Sequence, residues 1–176
     1  MENGYTVGEL AHLVVPGTNA AEVAHVNRQL RHWTLTGVLK TLGVTHTGAG
    51  RHRKYSGDAV HVAALMMELS RLGLPVGTLS LLATGLMGVL RPVKTRDGKP
   101  LMDQGAAEKW RRAIRGDGVI YLTFNVKYGT RWPQSVGVAF YEADGPDVPS
   151  PITVGHVSAI VVDLTRLFEP LRQIEV

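Results

Sequence analysis

The 176-residue chain contains no cysteine, which excludes disulfide bonds, thiolate catalysis and cysteine-ligated metal sites. Aromatic residues make up only 6% of the sequence. No apolar run approaches the roughly 18–20 residues that a membrane-spanning helix requires. The first residues, Met1 to Tyr5, lack the basic and then apolar pattern of a signal peptide. These absences predict a cytoplasmic protein of bacterial type that has no membrane partner.

Charge is distributed unevenly along the chain. The formal net charge of +4 divides into +2 for residues 1–84, +4 for residues 85–118 and −2 for residues 119–176. Six of the seven histidines also lie before residue 62. The first two-thirds of the chain would therefore face a polyanion such as nucleic acid, although a merely solvated basic surface has the same composition.

The N-terminal part of the chain predicts four helices, three of them with recognisable caps. Thr6 with Glu9 forms a capping-box pattern for the first helix, Asn19 can cap the second, and Ser56 can cap the third. A fourth helix is predicted from residue 76 to residue 86, after a Gly-Leu-Pro break. Together these helices predict a small helical domain.

The second helix has an apolar stripe and a basic face. Its apolar residues recur at helical spacing, at Val23, Val26, Leu30 and Trp33. Arg28 and Arg31 fall away from this stripe, where a recognition surface would lie. Two short extended runs then follow, joined by Gly48-Ala49-Gly50, and they predict a hairpin whose second run is the basic segment from Arg51 to Tyr55.

The C-terminal part has a different pattern. Residues 106–115 predict a helix anchored by Trp110, and aromatic and β-branched runs predict strands at 119–126, 135–141 and 158–163. A closing helix is expected from Leu164 to Ile174, interrupted or kinked at Pro170. The predicted fold class is α+β, with an N-terminal DNA-binding domain at 1–86, a basic connecting region at 87–118 and a small C-terminal α+β domain with a three-stranded sheet at 119–176.

Catalytic and metal sites are not indicated by the sequence. No nucleophile and base stand in a recognisable constellation, and the glycine-containing segments lack the strand-then-helix context of a phosphate loop. Asp144, Asp147 and Asp163 fall in a turn and at a strand end, where aspartate is common for conformational reasons. Four histidines could supply metal ligands but lack a recognised spacing, namely His25, His32, His46 and His52. We therefore expect no enzyme, no cofactor and no metal.

Residues 5 to about 84 resemble the winged helix-turn-helix domain of MerR-type transcriptional regulators. The opening run Tyr5-Thr6-Val7-Gly8-Glu9-Leu10-Ala11 is similar to the first-helix signature of that family. The run from Arg28 to Trp33, followed by Gly37-Val38-Leu39, resembles its arginine, leucine, arginine, aromatic-pair pattern. Arg53-Lys54-Tyr55-Ser56 resembles the end of its wing, and Leu72-Gly73-Leu74-Pro75-Val76 its third-to-fourth helix junction. The resemblance covers just under half of the chain.

The resemblance implies that the second helix enters the major groove of DNA while the wing contacts flanking phosphates. Arg31 can equally be a structural residue that orients the wing, whereas a tryptophan at the spacing of Trp33 from Leu30 is more often a core residue than a DNA contact. The DNA-binding residues predicted in this way are Asn27, Arg28, Arg31, His32, Trp33, Arg51, His52, Arg53, Lys54 and Tyr55.

Three departures from the family pattern affect what is expected of the chain. The segment from Val14 to Asn27 is several residues longer than usual, which can shift groove contacts toward it. His32 replaces a family aromatic residue. No long heptad helix follows the fourth helix, so the usual coiled-coil dimer is not expected, and residues 119–176 resemble no family.

Three functional hypotheses follow. The first is a sequence-specific, homodimeric transcriptional regulator that binds double-stranded DNA and whose C-terminal domain dimerises, binds a small-molecule effector or contacts a protein partner. The alternative is an excisionase-like or architectural DNA-bending protein of a mobile element. In a third hypothesis the protein does not bind DNA: the winged domain contacts another protein and the C-terminal domain binds a ligand.

Overall fold

The computed structural model describes residues 4–15, 19–43, 53–90, 104–128, 133–143 and 158–172. The chain divides into two compact units, of which the first comprises Met1–Ser80 with Pro170–Val176 and the second comprises Leu81–Glu169. Within the described ranges there are six α-helices and one three-stranded antiparallel sheet, which confirms the α+β class. No helix in these ranges is both long enough and apolar enough to cross a lipid bilayer.

The first unit is helical, and its helices begin where the sequence predicts. Helices α1 (Val7–Val14), α2 (Ala20–Leu35) and α3 (Gly57–Arg71) are followed by α4 (Val76–Leu90), which crosses the division between the units. All three predicted caps are confirmed. The Thr6 amide donates to Glu9 Oε2 at 2.6 Å and the Glu9 amide donates to Thr6 Oγ1 at 3.3 Å. Asn19 and Ser56 accept from amides in the first turns of α2 and α3.

The predicted apolar stripe of α2 is confirmed, because Val23, Val26, Leu30 and Trp33 are all buried. Helix α2 packs against α1, and α1 also packs against α3, most of whose residues are buried. A helix buried on one face only, such as α2, leaves its other face available to a partner.

The second unit is a helix-covered sheet. Its elements are α5 (Gln104–Arg115), β1 (Ile120–Tyr128), β2 (Pro133–Glu142), β3 (Ser158–Asp163), α6 (Leu164–Leu167) and a 3₁₀ turn at Glu169–Leu171, which extends past the unit boundary. The strand order is β2-β1-β3, and both pairings are antiparallel. Leu122 at the centre of β1 stands opposite Phe140 on one side and Val162 on the other.

One face of this sheet forms the core of the second unit. Ile120, Leu122 and Phe124 alternate along β1 and are completely buried. Trp110 of α5, the predicted anchor, meets Phe140 edge-on with ring centroids 6.3 Å apart and Phe168 with centroids 5.0 Å apart. Helix α5, which the sequence analysis assigned to a connecting region, therefore packs against the sheet.

The closing helix begins at Leu164 as predicted and is interrupted near Pro170, while residues 173–174 lie outside the described residues. Helix α6 ends at Leu167, and Glu169–Leu171 form a single 3₁₀ turn. Pro170 explains the stop, because proline has no amide hydrogen and its ring collides with the carbonyl one turn earlier. The hairpin predicted around Gly48-Ala49-Gly50 lies outside the described residues.

Candidate nucleic-acid interface

The outward face of α2 carries cationic and neutral side chains only. Arg28, Arg31 and His32 are exposed on it, opposite the buried stripe. The single acidic residue of α2, Glu22, is held by Arg71 of α3, with 3.4 Å between Oε1 and the guanidinium nitrogen. The face is therefore one that an anion can approach without meeting an uncompensated carboxylate.

The two arginines of this face are not engaged within the protein. Neither Arg28 nor Arg31 forms an ion pair or a side-chain hydrogen bond with any residue in the described ranges. An arginine fork presents five N–H donors, whose geometry matches both a phosphate and the acceptor pair of guanine. Both side chains are thus available to an external ligand.

The residues beside these arginines attach α2 to its neighbours. Gln29 is half-buried and its Nε2 donates to Ser70 Oγ of α3 at 2.9 Å. Asn27 is also half-buried and lies beside α1, where a Cβ added to Gly8 would come within 3.9 Å of its Nδ2. Asn27 therefore stands at the edge of the outward face, next to α1.

Two aromatic residues of the predicted contact set lie inside the protein. Trp33 and Tyr55 have no exposed surface, and the indole N–H of Trp33 meets no hydrogen-bond acceptor among the described residues. The Tyr55 hydroxyl shares a hydrogen bond of 2.8 Å with Thr34 Oγ1, near the C-terminal end of α2. These side chains fix the position of α2 and are not available for stacking on DNA, so we leave both out of the proposed contact surface.

The loop that follows α2 is closed at its base by backbone hydrogen bonds. The Leu42 amide donates to the Lys54 carbonyl at 2.7 Å. Tyr5 and Tyr55 exchange two further bonds of 2.8 Å each, in an isolated antiparallel bridge. A Cβ on Gly4 would lie 2.9 Å from Lys54 Cβ and 3.2 Å from the Tyr55 carbonyl oxygen, so a glycine suits the point where the N-terminal segment passes the loop base.

Basic residues stand at this loop base. Lys54 is exposed and Arg53 is half-buried, whereas Arg51 and His52 lie outside the described residues. Lys40, absent from the predicted set, is also exposed on the segment that leads from α2 to the loop. Lys40 lies two positions before Leu42, whose amide closes the loop base. The residues that carry the family resemblance do not include this position, so the resemblance did not identify Lys40.

The arginines of α5 have a different environment. Arg111 and Arg115 bind Glu108 at 3.1 Å and 2.9 Å, and Arg115 also binds Asp117 at 2.6 Å. Arg112 binds Glu142 of β2 at 2.7 Å. The hydrogen bonds from Arg115 and Arg111 lower the pKa of Glu108. The described part of the basic segment at 85–118 therefore carries arginines that are already neutralised by partners.

A metal site is not formed by the residues that the structure describes, since they contain no cluster of three or more histidine or acidic side chains suited to an ion. His25 and His32 lie on the exposed face of α2, while His46 and His52 fall outside the described ranges. His61 is buried in α3, where its Nδ1 lies 3.0 Å from the Gly57 carbonyl. Burial lowers the pKa of His61, and the Gly57 bond and Asp58 oppose this shift.

Comparison with models of known protein families gives no match. Comparison with curated proteins gives no related sequence either.

Proposed function

We propose that the protein binds double-stranded DNA through the outward face of α2, as a sequence-specific transcriptional regulator. The observation that carries this proposal is the pair of exposed arginines, Arg28 and Arg31, which have no partner in the described ranges on a helix face without a free carboxylate. An α-helix fits the major groove, and an arginine bound to guanine contributes about 1–3 kcal/mol of discrimination.

The closed loop base supplies the second contact in this proposal. The Leu42 amide bonds to the Lys54 carbonyl, and Tyr5 bonds to the next residue, Tyr55, so Lys54 is held in a fixed position. The Tyr55 hydroxyl connects the same segment to α2 through Thr34. Lysine and arginine at such a base serve as phosphate contacts that set the register of the recognition helix. Arg51, His52, Arg53 and Lys54 form this contact in the proposal, as they would in the wing of a winged helix-turn-helix domain.

The second unit is proposed to make the protein a homodimer, and it is also the place for an effector or a protein partner. Val161 of β3 is 51% exposed, and its neighbour across the sheet is Thr123, on the face opposite Leu122 and Phe124. In the described sheet β3 is an edge strand, because the order is β2-β1-β3, and an open strand edge favours pairing with a second copy. A dimer would place two α2 helices on two half-sites.

Selection of bound duplexes from a random DNA library tests the function directly. We expect enrichment of a two-fold symmetric site, followed by retardation of that site in a gel at low salt. No retardation of any duplex at low salt would contradict the proposal. Strong bending of the selected site without any effect on a promoter would favour the architectural alternative.

Assembly is tested on the full chain with Val161→Lys. The added charge should convert a dimer to a monomer in light scattering, because a lysine on each copy would oppose the other across the symmetric interface. Leu72→Lys is the matched control, since Leu72 is an exposed apolar residue of the first unit. Equal behaviour of the two variants would place the interface elsewhere.

A further inference from the structure

Two histidines lie on the outward face of α2, one on each side of Arg28. His25 precedes Arg28 by three positions and His32 follows it by four, which are the spacings that bring side chains together on one helix face. All three side chains are exposed. His25 extends the cationic face by one turn toward the N-terminal end of α2, beyond the residues that the sequence analysis assigned to DNA.

We propose that His25 and His32 are protonation-dependent phosphate contacts, so that the affinity of this face for DNA rises as the pH falls. The inference rests on the proposed function, to which it adds one contact residue and a form of regulation. Histidine changes its charge between pH 5 and 8, and the cationic form donates from both ring nitrogens. A phosphate nearby favours that form. Binding of DNA therefore takes up protons, and by linkage acid strengthens binding.

The acidic groups near this face are already occupied. Glu22 is paired with Arg71 at 3.4 Å, Arg71 also meets Glu68 at 3.7 Å, and Glu9 accepts from the Thr6 amide. Among the described residues, none forms an ion pair or hydrogen bond with the imidazole of His25 or His32. The other charged or titratable groups on α2, on the elements packed against it and at the loop base are Arg28, Arg31, His12, Tyr5, Asp58, His61, Lys40, Arg53, Lys54 and Tyr55.

A DNA phosphate is thus the partner that can stabilise the charged imidazoles. Phosphates bound at this face attract the cationic form of both imidazoles, so the uptake of protons accompanies the binding of DNA.

Fluorescence anisotropy with one labelled duplex and the full-length protein, at about pH 8 and about pH 5.5, tests the inference. The affinity of the unaltered protein should rise about ten-fold or more on acidification, since each coupled proton can contribute up to roughly one logarithmic unit per pH unit. The His25→Gln, His32→Gln variant should change by less than about two-fold over the same interval. His12→Gln, which alters an exposed histidine of α1, should behave like the unaltered protein.

Salt provides a second readout at each pH. The slope of log affinity against log salt should be steeper by about two for the unaltered protein at acid pH, because two more phosphates are neutralised. His25→Arg, His32→Arg should keep both charges at every pH and bind at pH 8 as the unaltered protein binds in acid. Circular dichroism at both pH values verifies that each variant remains folded.

Three outcomes would overturn the inference. One is DNA binding by the unaltered protein that does not depend on pH. Another is a pH dependence that survives in the His25→Gln, His32→Gln variant, which would assign proton uptake to other histidines. The third is a lack of binding to any duplex at every pH, which would also remove the proposed function, whereas the first two leave that function intact.

Discussion

Helices α2 and α5 both carry arginines, yet the two sets have opposite surroundings. Arg28 and Arg31 of α2 extend from the protein without a partner in the described ranges, whereas Arg111, Arg112 and Arg115 of α5 each bind a carboxylate. The segment that includes α5 has the larger net charge in the sequence, at +4 for residues 85–118. A count of charges therefore does not locate a surface that binds a polyanion. A carboxylate beside an arginine cancels much of the positive potential that the arginine presents to an external anion.

The largest expected effect comes from removing the unpaired arginines. Arg28→Ala with Arg31→Ala should weaken binding to the selected DNA site by about a hundred-fold or more, since each arginine can contribute about 1–3 kcal/mol. Binding to random DNA should weaken less, because phosphate contacts dominate there. Arg111→Ala with Arg115→Ala is the matched control and should change either affinity by less than about three-fold. Equal losses in the two double variants would remove the contrast between the helices.

A second expectation separates the arginine contacts of the loop base from those of α2. Arg53→Ala with Lys54→Ala should weaken binding to all sequences alike and reduce the salt slope by about two, because only phosphate contacts are lost. The measurement is a salt titration of affinity on selected and on random DNA. An unchanged slope would show that the loop base does not face DNA.

The first unit also contains a buried titratable group. Burial lowers the pKa of His61 in the folded state, so the unfolded chain binds more protons just below the ordinary histidine pKa. Stability should therefore fall as the pH drops below about 6.5. His61→Gln should abolish this loss of stability, measured by urea unfolding above and below about pH 6.5. A variant that keeps the same loss would assign it to another group.

The smallest expected effect concerns the α5 pairing itself. The Arg112–Glu142 pair is partly exposed, with each side chain 33% accessible, and it joins α5 to β2. Its coupling free energy should be about 1 kcal/mol or less, because solvent screens the pair. A double-mutant cycle with Arg112→Ala and Glu142→Ala in thermal unfolding measures it. A coupling near zero would mean that the Arg112–Glu142 ion pair makes no measurable contribution to the free energy of unfolding.

Local sequence patterns were sufficient for the elements of this fold. The caps at Thr6, Asn19 and Ser56, the buried stripe of α2 and the anchor Trp110 depend on residues a few positions apart, and all are confirmed. Predicted strand limits also agree with β1, β2 and β3 to within two residues at each end. Short-range physics determines these features, because capping and periodicity involve neighbours along the chain.

Contacts between distant residues could not be derived in the same way. Arg112 and Glu142 lie 30 positions apart, and the bond between Thr34 and Tyr55 spans 21 positions. Nothing in the neighbourhood of Tyr55 distinguishes a buried tyrosine from a DNA-contacting one, so the sequence placed it in the interface. Tertiary contacts likewise determine which arginines are paired with a carboxylate. The amino-acid composition does not contain this information.

The bond between the Leu42 amide and the Lys54 carbonyl holds together the two ends of the segment that lies between them in sequence. The closure joins backbone to backbone, so it does not depend on the side chains within the loop. Loop length adds little free energy once the ends are fixed, about 0.6 kcal/mol for each doubling. A change in the length of the chain between these two ends should therefore cost little closure free energy, while Lys54 keeps its bond to Leu42.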